Sequence, residues 1–167
     1  FYTDLPGDSP AFAAVQKLSL LGAVAGPDIN DYNTKQSKGL ASTELKAYRF
    51  RPDEPITLGE FSQMVVNGLQ IPLSITASHF TDVPRGHPAF KYIETLYASS
   101  TQSKEPFFDF DPSDGFKTAL AHPEKYVSGV QAVKILFGLL NKKVSSSMDS
   151  EAELTRAEAA QLVHQHL

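Results

Sequence analysis

Cysteine and tryptophan are absent from this sequence of 167 residues, and only two methionines occur. Without cysteine there are no disulfides, no thiolate metal ligands and no thiol nucleophile. The compartment stays open, because exported proteins without cysteine are common. No apolar run approaches the roughly 18 residues of a membrane-spanning helix. An excess of one charge is missing too: 15 basic against 19 acidic side chains leave a net charge of −4. An acidic chain gains no counterion release from nucleic acid or an anionic membrane, which argues against a general binder of either and still allows a local basic site. Apolar residues make up 41% and charged residues 20%. That balance can bury a core in one ordinary domain. The chain begins at Phe1 with no basic segment leading into an apolar stretch, which reads as a mature piece or fragment of something longer.

What is present repeats. Thr3-Asp4-Leu5-Pro6 followed by Pro10-Ala11-Phe12 returns at a constant offset as Thr81-Asp82-Val83-Pro84 followed by Pro88-Ala89-Phe90. The offset holds into the next segment, where Val15 and Leu18 align with Ile93 and Leu96 at helical spacing. Each copy predicts a Thr-Asp turn, a proline near the first helical turn and an amphipathic helix.

A second pattern has its own register. Thr57-Leu58-Gly59-Glu60 and Thr155-Arg156-Ala157-Glu158 are both Thr-x-x-Glu, the spacing of a capping box, in which threonine caps the third helical amide and glutamate reaches back to the capping residue's own amide. Phe61, Met64 and Val65, and likewise Ala159, Leu162 and Val163, supply the apolar stripes that follow. Ser128-x-x-Gln131 is a third possible box of ambiguous class. Its distance from Thr155 assigns 126–140 to the first helix of a third repeat. Phe110-Asp111-Pro112 then matches Phe50-Arg51-Pro52, with Lys117 to His122 as a shortened second helix. The expected organisation is one all-α domain of three helix-loop-helix repeats, about 1–70, 80–122 and 126–167, forming a pseudo-threefold bundle.

These motifs together resemble the S-layer homology module of bacterial envelope proteins. Phe80-Thr81-Asp82-Val83-Pro84, then His87-Pro88-Ala89 and Ile93, follow that family's opening pattern. Phe50-x-Pro52 with Ile56-Thr57, and Leu154-Thr155-Arg156-Ala157-Glu158, follow its later one. The resemblance covers nearly the whole chain and implies a three-pronged spindle. Its grooves would bind acidic, often pyruvylated, secondary cell-wall polysaccharide and so anchor a larger protein at the bacterial envelope or cell surface. Arg156 would clamp an acidic substituent at a helix N-terminus, where amides and dipole favour an anion. Thr155 with Glu158 and Thr57 with Glu60 would shape the grooves, and Asp4, Asp82 and His87 belong to the same glycan-binding set. The sequence departs from the pattern in four ways, one being that the glycine-rich turn expected between the two helices is missing or altered in all three repeats. Pro88 and Pro10 stand where the family has an aromatic, Leu58-Gly59 replaces Arg-Ala, with Arg49 or Arg51 as possible substitutes, and the second repeat has no Thr-Arg-Ala-Glu.

Other constellations are weaker. Asp109-x-Asp111-x-x-Asp114-Gly115 misses calcium-loop spacing and is interrupted by Pro112. His164 and His166 lie on different sides of a helix and form no metal set. His79 near Asp82, and the helix-start or turn positions of His87 and His122, read as turn chemistry. Tyr92, Tyr97 and Tyr126 offer ring faces for a sugar or edges for a core. No nucleophile with an oriented base is legible, so the expected function is non-catalytic, without cofactor or metal. Two readings stand: a wall-polysaccharide anchor attached to an upstream domain of its parent protein, or a structural or protein-interaction domain appended to a larger enzyme without glycan binding.

Overall fold

The structure is a computed structural model that describes residues 2, 4–24, 49–100, 107–108, 119–140 and 150–167. Five helices occur among them: α1 (Phe12–Leu20), α2 (Leu58–Gly68), α3 (Phe90–Ser100), α4 (Gly129–Leu140) and α5 (Arg156–His164). The chain is all-α; among the described residues the only β pairing is three isolated bridges.

Local chemistry explains where the helices begin and end. Thr57 and Thr155 each adopt extended geometry and close a complete capping box with Glu60 and Glu158. Ser128 Oγ accepts from Gln131 N in the same manner. At the other end of α1, Gly22 takes φ +65° while Gly22 N and Ala23 N donate to Ser19 O and Leu18 O. Gln70, at φ +53°, ends α2 by the same paired return to Asn67 O and Val66 O. Both are Schellman closures, which occupy carbonyls that the helix leaves open.

The helices are organised around a ring. Pro55 bridges Thr155, Thr57 bridges Tyr126 and Ser128 bridges Glu153, so each of three short extended segments meets the other two. At the centre, Ile56 N donates to Leu154 O, Leu154 N to Val127 O, and Val127 N to Ile56 O. The cycle closes on itself, and all three side chains are buried. α3 packs most extensively on α2 and α1 on α5, around a core that includes Phe50, Phe61, Phe80, Ile93 and Leu162. The apolar stripes expected on α1, α2, α3 and α5 are all at the core.

Two carboxylates set the register of the loops. Asp4 accepts from Phe50 N and Arg51 N, both at 2.8 Å. Asp82 accepts from Ala121 N at 2.9 Å and His122 N at 2.7 Å. Arg51 and His122 both sit at positive φ, 59° and 53°, and both precede a proline. Such a conformation costs a non-glycine residue about 1–2 kcal/mol, and the paired carboxylate bonds offset it.

This register corrects the expected repeats. Ala121-His122-Pro123, not Phe110-Asp111-Pro112, is the counterpart of Phe50-Arg51-Pro52; residues 109–118 lie outside the described residues. Residues 119–122 are not helical. The segment before α4 enters the ring as those before α2 and α5 do, so α4 is the second helix of the middle unit rather than the first of a third. Periodicity could not separate the two classes, because both carry an apolar stripe. The ring pairing distinguishes them.

Candidate functional site

The expected anion clamp is closed from within. Arg156 is 5% exposed. Its Nε donates to Phe50 O at 2.7 Å, its Nη1 meets Glu60 Oε1 at 2.5 Å, and its guanidinium lies 5.3 Å over the Phe50 ring. The α5 amides are occupied as well: Arg156 N donates to Glu54 O, Ala157 N to Pro52 O and Glu158 N to Thr155 Oγ1. The picture of an arginine beside open helix-start amides is therefore corrected. Neighbouring segments of the ring take those donors because extended pairing aligns their carbonyls with the first turn. The same holds at α2, where Leu58 N and Gly59 N donate to Lys125 O and Pro123 O.

Glu60 has two roles. Oε2 accepts from Thr57 N at 3.2 Å in the capping box, while Oε1 receives Arg156. Arg51 adds a looser contact to Glu60 at 3.9 Å and a closer one to Glu54 at 3.0 Å. No short-range signal in the sequence announces the Arg156–Glu60 pair, since ring closure brings it together. Asp4 and Asp82 are fully engaged as backbone clamps. Thr155 and Glu158 close their own box, with Thr155 N and Oγ1 both 2.9 Å from Glu158 Oε2.

Three of the expected residues do converge. A groove of about 310 Å³ runs between the N-terminal ends of α2 and α3, lined among others by Thr57, Glu60, Gln63, His87, Pro88 and Glu124. Gly59 forms part of its wall, where an added Cβ would stand 3.1 Å from Ala89 Cβ and 3.2 Å from Pro123 O. Glycine thus lets the α2 start approach both neighbours. His87 Nδ1 accepts from Ala89 N at 3.1 Å, which leaves Nε2 to carry the ring proton. The groove pairs a Pro and Ala floor with amide, hydroxyl, imidazole and carboxylate groups, a set suited to neutral hydroxyl-rich molecules. Its charged groups, Glu60 and Glu124, are both acidic.

The tyrosines divide by environment. Tyr92 is 7% exposed, with its hydroxyl 3.3 Å from Asn67 Nδ2. Tyr97 packs at a tilt against His79, ring centroids 4.3 Å apart, and meets the Phe80 ring edge-on. Burial, then the nearby Glu94 carboxylate, raises the Tyr97 hydroxyl above its ordinary pKa. Tyr126 keeps 52% of its surface. His79 engages Glu94 rather than Asp82: the buried carboxylate accepts from His79 N at 2.8 Å and lies 2.6 Å from His79 Nδ1. This contact holds the 69–80 stretch to α3 and was not legible as a turn feature. Among the described residues no group of three or more His, Asp or Glu is placed to hold a metal ion, and no helix is long and apolar enough to cross a membrane. The Asp109–Asp114 stretch lies outside the described residues.

No protein-family model matches this chain, and neither does any curated protein.

Proposed function

We propose that this chain is a non-catalytic module that holds a larger protein at a bacterial envelope by contacting cell-wall polysaccharide through the groove between α2 and α3. The observation that carries this reading is the convergence of Thr57, Glu60 and His87, three residues expected from the motif resemblance, on one groove with Gln63 and Pro88. Donors and acceptors over a small apolar floor are the means by which proteins read sugar hydroxyls. The groove's carboxylates direct it to the neutral hydroxyl faces of a wall polymer rather than to its acidic or pyruvylated substituents. S-layer homology repeats remain the family reading, on the motifs quoted above.

A second reading, a structural or protein-interaction domain without glycan binding, is favoured by one observation. Arg156, the residue expected to hold an acidic sugar, is occupied by Glu60 and Phe50.

Co-sedimentation with bacterial envelope preparations, before and after acid extraction of wall-linked polysaccharide, separates the two. The anchor reading expects binding that vanishes on extraction and falls at least fivefold in Gln63→Ala and His87→Ala. A chain that stays in the supernatant throughout would establish the second reading instead.

A further inference from the structure

The stretch that carries the chain from α2 to α3 is tied down by side chains rather than by its own backbone. Residues 71–80 run without helix, turn or bend. From Pro72 to His79, two amides find acceptors among the described residues: Ser74 N donates to Thr95 Oγ1 at 3.0 Å and His79 N to Glu94 Oε1 at 2.8 Å. None of the carbonyls of 72–78 accepts a hydrogen bond among the described residues. Both latches are neighbouring residues of α3, and both are buried. The strap itself faces outward, with Leu73 51% and Ile75 44% exposed and Pro72, Thr76 and Ser78 exposed beside them. So few ties let such a segment open at a small part of the cost of global unfolding.

An endoprotease takes its substrate as an added strand, which needs amides and carbonyls that the substrate has not already paired. A helix cannot offer them, and the strap does. Its apolar side chains at Leu73 and Ile75 suit a primary pocket that is itself apolar.

The parts on either side of the strap hold each other without it. α2 packs on α3, and α1 packs on α5. Ile56 N donates to Leu154 O and Ile56 O accepts from Val127 N, while Arg156 reaches back to Phe50 O and Glu60. Each of these contacts joins the part before the strap to the part after it.

We propose that residues 72–77 are a proteolytic processing site for an endoprotease with an apolar primary pocket, and that the cut yields a two-piece module with the fold intact. Water adds across the Leu73–Ser74 bond, leaving a carboxylate on Leu73 and an ammonium group on Ser74. The new ammonium keeps Thr95 Oγ1 as an acceptor. The site lies outside the groove between α2 and α3 and does not rest on the anchoring reading.

The test is limited digestion of the intact chain with subtilisin, a serine endoprotease of broad apolar preference, with new ends read by mass spectrometry. A cut between Leu73 and Ala77 is expected while the helical circular dichroism is unchanged, and the two pieces should elute together in gel filtration. Thr95→Val removes one latch at constant volume and should speed this cut at least threefold. Leu73→Asp with Ile75→Asp, at exposed positions, should slow it at least tenfold. A strap cut only as fast as the helices melt in urea, pieces that separate without denaturant, or an unchanged rate in Thr95→Val would each overturn the proposal.

Discussion

At the scale of the residue, Arg156 shows how a motif side chain can be a structural tie. A buried guanidinium needs a carboxylate and a second acceptor to offset its desolvation, and Glu60 with Phe50 O provides both. Removing the cation leaves Glu60 Oε1 with only the looser Arg51 contact at 3.9 Å. Arg156→Leu should therefore cost about 2–4 kcal/mol, toward the low end because Glu60 keeps about a third of its side chain in water. By the ring's register, in which Leu58 N donates to Lys125 O as Arg156 N donates to Glu54 O, the equivalent positions at the α2 start already hold Leu58 and Gln131. On that precedent, Arg156→Leu with Glu60→Gln should recover at least half of the loss, as read from urea midpoints at constant slope. A double variant no more stable than the single one would show that the pair is not what the substitution disrupts.

At the scale of the element, second-type helices are fixed at their starts by two devices of different reach, a capping box at α2 and α5 and an aspartate clamp on the segments before α2 and α4. The capping box is local, and Thr155→Ala should lose about 1 kcal/mol, the usual value of such a cap. The aspartate clamp is long-range. Asp82→Ala strips the acceptor from two amides at once and releases a left-handed His122 that depended on it. With each lost hydrogen bond to a charged group contributing about 1.5–3 kcal/mol, Asp82→Ala should destabilise more than Thr155→Ala. It should also move the amide resonances of Ala121 and His122 far more than those of α3. Equal costs for the two variants would mean that Asp82 only decorates the turn. The two helix types were legible because their caps and stripes are contiguous in sequence. The class of α4 was not, because nothing local distinguishes a first from a second helix.

At the scale of the whole molecule, the cycle through Ile56, Leu154 and Val127 makes the fold interdependent. Each segment donates to one neighbour and accepts from the other, so no helix unit can leave without opening both remaining contacts. The chain is expected to unfold as one cooperative unit in spite of its repeats, where an open repeat array would unravel by nearest neighbours. Amide exchange under mild denaturant should give one common opening free energy for the core amides of α2, α3 and α5. Distinct plateaus for the α2–α3 and α1–α5 pairs would contradict this.

By itself the sequence determined the helices and their caps. Thr57, Thr155, the apolar stripes and the Thr-Asp turns act within a few residues, and their chemistry can be read in order along the chain. It also determined the all-α class, since helical periodicity recurs and no strand pattern of any length competes with it. Tertiary structure alone decided which helices pair, which amides remain open and which charges meet. Arg156 reads as an available cation until ring closure delivers Glu60 to it. Contacts between positions far apart in the chain depend on register, and here three extended segments set that register by closing a single ring.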